Sequence, residues 1–378
     1  MKKIFSFSYD AAAVVTAVAI IAGMVGMSTP SAAQAAFGFA EKAVKSAEKV
    51  SATPFSAILD DISGTDTIEA ERTVFTDNPL SSLTKTPEDI LQLIKAAEAN
   101  AKNDIEDGKI EERKYTAINT STLIGNIAVR NNTDTQQNIN LLKYYETDPD
   151  IKITDKAQPS VLIFHTHTTE CYEILDRSWY AQDYITRSNS SDRNMIRVGM
   201  EIKEQLEKAG YCVIHDTEIH DTKYTGAYAH SRKSVEKYLD EYPSIQVVLD
   251  IHRDAIEQSG GVRIKPTAEI LGKKAAQLMI ITGCEEGKVT DFPDWEQNLT
   301  FALRLQSICE EKFPGLMRPV YFCQRKYNMD LSHNNLLVEV GSCANTLEEA
   351  AYAGRLLGNS LATLLDRSIE GNKNEKTD

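Results

Sequence analysis

Between residues 160 and 366, short apolar runs alternate with longer amphipathic ones, and this pattern constrains the chain more than any other feature. SVLIF at 160–164 is unbroken by a polar residue, as a strand buried on both faces should be. Residues 194–210 then carry apolar positions at helical spacing and end on Gly210, which suits the position just past a helix. The order continues with a strand at 211–216, a helix at 231–243 and a strand at 245–252. Further strands are predicted at 275–283 and 336–341, with helices at 295–315 and 346–366. Strands alternating with helices of this length predict an α/β fold, a largely parallel sheet flanked by helices on both faces. In such sheets ligands bind beyond the C-terminal ends of the strands.

Composition narrows the partners. The 378 residues carry 41 Lys and Arg against 55 Asp and Glu, a net charge of −14, with no basic stripe. Nucleic acid is therefore excluded, because phosphate binding needs clustered cations. An anionic polymer stays possible where a metal ion neutralises the cleft. The six cysteines form no CxxC pair, so no zinc ribbon or redox motif is present, and they read as small buried residues.

Ahead of the alternating region the texture differs. Lys2 and Lys3 precede an apolar run at 11–27, close to the lower limit for crossing a bilayer. The small-residue stretch SAAQAAF that follows is similar to a signal-peptidase site. We expect residues 1–36 to form a transmembrane anchor or a cleaved signal, with the bulk of the chain exported. Residues 37–158 read as an extracytoplasmic spacer or accessory region, with a helix at 87–112, a loop at 59–88 and a strand at 122–132. A domain at 159–366 would carry the chemistry, and 367–378 a polar tail.

Three predicted strand ends hold the residues of interest. The first strand runs into His165-Thr166-His167-Thr168-Thr169-Glu170, the third ends in Asp250-Ile251-His252-Arg253-Asp254, and the last contains Glu339. Zinc takes His nitrogen and carboxylate oxygen, three protein ligands and a water at a catalytic site. A His-x-His in extended backbone puts both rings on one face. An unpaired carboxylate inside an apolar strand is costly, so Glu339 asks for a metal or a cation such as Arg253. A single strand-end histidine is commonly a hydrogen-bonded structural residue; the three groups together point to a metal. HExxH, GxSxG and P-loop motifs are absent. His215, His220, His230 and His333 fall in or near loops and read as surface or supporting residues, His333 held in reserve for its closeness to Glu339.

At these residues the chain resembles the stage II sporulation protein P family. The matching stretches are VLIFHTHTTECY (161–172), IRVGMEIKEQLEKAGYCVIHD (196–216), AYAHSRKSVEKYL (227–239), VVLDIHRDA (247–255), NLTFALRL (298–305) and LLVEVGSCANTLEEA (336–350). The resemblance implies an N-acetylmuramoyl-L-alanine amidase-like fold. It implies a membrane-anchored peptidoglycan hydrolase that cuts the N-acetylmuramoyl–L-alanine amide and peptide cross-links, remodelling septal wall during engulfment. It implies zinc as cofactor, stage II sporulation proteins D and M as partners, and a single-pass location in the septal membrane of the mother cell. Residue by residue, the first ligand falls on His167 or His165, the second histidine on His252 and the catalytic glutamate on Glu339. Glu170 is the choice for the middle ligand, although it follows His167 more closely than in classical amidases. Cys171 and Cys343 stand where relatives carry other small residues, and Cys343 near Glu339 suggests redox sensitivity.

The expected mechanism has Zn2+ on His165 or His167, Glu170 and His252, with Glu339 as general base. Arg253 would stabilise the oxyanion or pair with a substrate carboxylate; its structural alternative is a salt bridge to Asp254 or Glu339. Two rivals stand beside this reading: a wall-binding scaffold without turnover, and a zinc deacetylase or protease acting on exported substrates.

Overall fold

The computed structural model describes residues 79–117, 121–134 and 139–374, all within the unit Thr76–Asp378. The apolar run at 11–27 and most of the loop at 59–88 lie outside the described residues. Among the described helices none is long and apolar enough to cross a membrane.

The strand β4 (Pro159–Phe164) lies at the heart of the fold, with β6 (Cys212–His215) on one side and β7 (Val247–Asp254) on the other, all parallel. Next to β7, again parallel, runs β13 (Asn335–Ser342). Beyond it come β11 (Leu278–Gly283), β12 (Val320–Cys323), β3 (Ile127–Asn132) and β2 (Thr122–Ile124), completing an eight-stranded sheet. The apolar run of β4 divides as a two-sided strand must. Val161 and Ile163 face one core with Val198, Ile202 and Leu357, while Leu162 and Phe164 face another with Val235 and Val248. The helices α4 (Met195–Lys208) and α7 (Leu347–Asn374) supply the first core, and α5 (Ala227–Glu241) the second. A third core joins α3 (Leu141–Glu146) and α6 (Trp295–Lys312) to β3 and β12 through Leu141, Leu299, Leu303, Val129 and Phe322.

The sheet is mixed rather than largely parallel, which corrects the expectation. β11 runs antiparallel to β13, and β2 antiparallel to β3. The reason lies in how the chain reaches β11. A parallel neighbour needs a crossover; after β7 the chain instead enters a second sheet through β8 (Glu257–Gln258), β9 (Val262–Ile270) and β10 (Lys273–Ala276). Only Gln277 separates β10 from β11, so β11 enters the main sheet from the opposite end.

The second sheet draws strands from both sides of residues 158/159. Its order is β10, β9, β1 (Glu106–Arg113) and β5 (Trp179–Ala181), with β8 on β9. β1 and β3 come from the region expected as spacer, yet β1 pairs β9 and β3 pairs β12. The helix expected over 87–112 stops early. α2 (Glu88–Asn100) follows the short α1 (Pro79–Thr84), and 106–113 is β1. Gly108 weakens a helix there, and a Cβ at 108 would meet the Tyr180 hydroxyl at 2.3 Å, so the strand needs glycine where β5 crosses it.

Candidate active site

Parallel pairing of β7 and β13 sets His252 directly opposite Glu339. Neighbouring strands lie about 4.8 Å apart, so the two side chains stand next to each other on one face. Gly341, two residues on, takes φ 62°, and the register slips between Glu339 and Ser342. A Cβ there would meet Asn345 Oδ1 at 2.4 Å and the backbone is left-handed, so only glycine fits without strain.

β4 ends at Phe164, and residues 166–169 turn back to bring Glu170 under the end of β7. Two bonds hold the turn: Thr168 Oγ1 donates to the His165 carbonyl at 2.7 Å, and the Glu170 N–H to that of His167 at 3.0 Å. Because this stretch is not extended, the two histidines do not share a face, contrary to expectation. The fully buried His165 ring has Nδ1 3.0 Å from the Ile251 carbonyl and Nε2 2.8 Å from His215 Nε2. His167 goes into the cluster, its ring 5.4 Å from that of His252 and nearly perpendicular to it.

Glu170 comes within 3.7 Å of His252 Nδ1, and its other oxygen within 3.4 Å of Arg187. On the far side of the His252 ring, Nε2 is 2.8 Å from Asp250 Oδ1, an ion-pair approach out of line for a hydrogen bond. Asp250 is fully enclosed and accepts from the Thr166 N–H at 2.8 Å and from Thr166 Oγ1 at 2.7 Å. Asp221 stands behind His167, 3.8 Å from Nδ1, taking bonds from Thr169 and Arg187. Tyr224 stacks flat on His167 at 4.8 Å, and Tyr228 meets its edge at 5.7 Å.

The electrostatics follow from enclosure. Burial pushes the His167 imidazolium down, and the charge on His252 pushes the same way, so His167 is a neutral base. Burial also opposes charge on His252, but Asp250 outweighs it and lifts that imidazole to about 9. Glu339 is raised to about 8, chiefly by burial, in the absence of any bound cation. Its surface is partly reached by solvent, yet protein surrounds the carboxylate and leaves Oε2 without a hydrogen bond.

Zinc can be tested against these atoms. His167 Nδ1 and Glu339 Oε2 are buried without a hydrogen bond, while His252 turns Nε2 to Asp250 and Nδ1 toward Glu170. The 3.7 Å between Glu170 and His252 Nδ1 is close to the separation of about 3.4 Å that two ligands at zinc bond lengths of about 2.1 Å would show. Among the described residues, no three His, Cys, Asp or Glu side chains are gathered tightly enough to enclose a metal ion. The donor set therefore fits zinc in kind and in the unbonded oxygen of Glu339, without forming a closed cage.

Other expectations change here. Arg253 points its guanidinium into the frame, donating to the carbonyls of Cys171, Thr186 and Asp254 at 3.3, 2.9 and 3.4 Å. Asp254 pairs with Arg318 at 3.0 Å instead. Arg253 thus braces the 171–186 loop and stands 3.7 Å from Glu170, the ion pair it forms in place of one to Asp254 or Glu339. His215 is half-buried and supports His165 through its bond to that ring, one of the two roles expected of it. His220 is buried against Asp216 at 2.9 Å, and His230 meets the His220 carbonyl at 3.1 Å. His333 is exposed beside Asp294 and takes no part. All six cysteines are free, and burial pushes the Cys171 thiol up to about 11 and the Cys343 thiol up as well. Neither is the accessible thiolate that oxidation selects. A cavity of about 550 Å³ beside β2, lined by residues such as Leu123, Asn131 and Leu141, holds no titratable side chain.

Sequence reasoning gave no role to Asp221, Tyr224 or Tyr228, and none to Asp250 although it lies in the DIHRD stretch. Asp250 had a signal, being an aspartate inside the apolar run VVLDI two residues before His252. The tyrosines come from a loop and a helix end with no periodic signal.

The fold and the site together define an α/β protein with imidazoles and carboxylates gathered at the C-terminal ends of parallel strands. Residues 69–362 match the family described as Stage II sporulation protein P (SpoIIP), and the chain belongs to that family. It is 30% identical over 214 residues to stage II sporulation protein P of Bacillus subtilis, covering 53% of this chain and 50% of the relative. The matched stretch thus spans about half the length of that protein. Among solved structures, the chain is similar to the N-acetylmuramoyl-L-alanine amidase AmiC2 of Nostoc punctiforme, with 9% identity and a TM-score of 0.35 over 57% of this chain and 99% of that one. It is also similar to the CwlD amidase of Clostridioides difficile, solved with the GerS lipoprotein, with 11% identity and a TM-score of 0.36 over 55% and 98%. At scores this low the likeness carries no argument.

Proposed function

We propose that this chain is a peptidoglycan hydrolase of sporulation that cleaves the N-acetylmuramoyl–L-alanine amide and also peptide cross-links in septal wall during engulfment. The observation that carries this reading is the strand register setting His252 against Glu339, with His167 and Glu170 brought to the same strand ends. His167, Glu170 and His252 would hold Zn2+, and bound zinc supplies a Lewis acid and a more acidic water. Glu339 accepts the proton of the attacking water and returns it to the leaving amine, a role suited to a carboxylate with an unpartnered oxygen. Asp250 fixes the His252 ring from behind, as groups behind metal-bound histidines commonly do. The chain is exported and held at the membrane by residues 1–36, where it works with stage II sporulation proteins D and M.

Digestion of purified sacculi by the full chain, with chelator and with zinc restored, tests the proposal. Mass analysis should find free stem peptides and cleaved cross-links that vanish on chelation and return with zinc. The rival reading is a non-catalytic wall-binding scaffold. Tight binding to sacculi without release of peptides, unaffected by chelator, would establish that rival.

A further inference from the structure

Two of the rings around Tyr228, His167 and His252, belong to the site, while its own hydroxyl makes no hydrogen bond among the described residues. The ring meets His167 edge-on at 5.7 Å, lies within 14° of parallel to His252 at 6.4 Å, and rests on Tyr327 at 5.5 Å. Tyr228 is half-buried beside these rings, so its phenol is not sealed in a core.

Its position is fixed by the same network that fixes His252. Asn328, held at φ 59°, donates through Nδ2 to the Tyr228 carbonyl at 3.0 Å and to Ser231 Oγ at 3.1 Å. Thr166 Oγ1 spends its proton on Asp250, so the 2.8 Å contact between Ser231 and Thr166 has Ser231 as donor. The chain of donors runs from Asn328 through Ser231 and Thr166 to Asp250, which faces His252. Such a shared frame keeps a donor at constant distance from a ligand, which is what stabilisation of developing charge requires.

We propose that the Tyr228 hydroxyl donates a hydrogen bond to the carbonyl oxygen of the scissile amide as that oxygen becomes an anion. The inference rests on the hydrolase reading. In the step, the water oxygen bonds to the carbonyl carbon and Glu339 takes a proton from it. The C=O becomes a single-bonded oxyanion facing Tyr228. The double bond then re-forms as the C–N bond breaks, and the amine leaves with the proton from Glu339. The phenol keeps its own proton throughout, as a group with an ordinary pKa of about 10 can at neutral pH.

Tyr228→Phe keeps the ring and removes the donor. On a soluble muramoyl-peptide, kcat should fall about 100-fold with KM, zinc content and thermal midpoint unchanged. An unchanged kcat, or a rise in KM alone, would overturn the proposal. If that variant does not fold, Asn328→Gly decides, since it keeps the left-handed backbone and cuts the tie: a loss in kcat with zinc content unchanged supports the proposal, and no loss, or one that follows a loss of zinc, overturns it. Failure of the wild-type chain to release any stem peptide would remove the hydrolase reading itself, a result separate from the behaviour of either variant.

Discussion

His165 and His167 are separated by one residue and by a difference in burden. His165 spends both nitrogens on the Ile251 carbonyl and His215, whereas His167 Nδ1 has no partner. Replacing His165 with Asn should therefore cost about 1–3 kcal/mol of stability, because two buried bonds are lost, while zinc binding is retained. His167→Asn should do the reverse, abolishing zinc binding in equilibrium dialysis with little change in the thermal melt. Loss of zinc in the His165 variant alone would contradict the assignment. Asp250→Asn should weaken zinc binding about 10–100-fold by freeing the His252 ring. The same residues show what the sequence could and could not disclose. His252 and Glu339 were legible because a polar residue in an apolar strand has to be accounted for. The choice between His165 and His167 was not, since it depends on β4 ending at Phe164, and nothing in VLIFHTHTTE marks that point.

At the level of elements, the helices and most main-sheet strands followed from periodicity to within a few residues, from β4 and α4 to β13 and α7. Their order in the sheet did not, because adjacency of β7 and β13 depends on the excursion through β8, β9 and β10. β12, four residues long, and the two-residue β8 were too short to carry a period. α4 has a tight point at Gly199, where a Cβ would stand 2.5 Å from His215 Nε2 and 2.7 Å from His165 Nε2. Alanine would gain about 1 kcal/mol in helix propensity but force apart two rings hydrogen-bonded at 2.8 Å, an overpacking cost of about 1–3 kcal/mol before the bond is counted. The second effect should win, so Gly199→Ala should lower the unfolding midpoint in urea. A rise would show that the ring pair yields freely.

For the whole molecule, that pair predicts a pH dependence of stability. Burial depresses His215 from 6.5 to about 3, with His165 adding to the shift. The folded state thus keeps the ring neutral while the unfolded state takes up a proton below pH 6.5, so stability is complete above that value and falls as pH drops toward 3. The slope from this group approaches about 1.4 kcal/mol per pH unit within the window. His215→Gln, which can still share a hydrogen bond with His165, should flatten the slope between pH 6 and 4 in denaturant titrations (a window of roughly two units set by the same linkage); an equal slope in both chains would contradict the account. The claim that organises the whole is that one cluster holds zinc on His167, Glu170 and His252 and reserves Glu339 for the proton. Measuring bound zinc and peptide release from sacculi on the same preparation of Glu339→Gln tests it most directly. The account predicts a zinc content equal to that of the wild-type chain and no released stem peptide; a variant that has lost zinc, or one that still releases peptide at the wild-type rate, would contradict it.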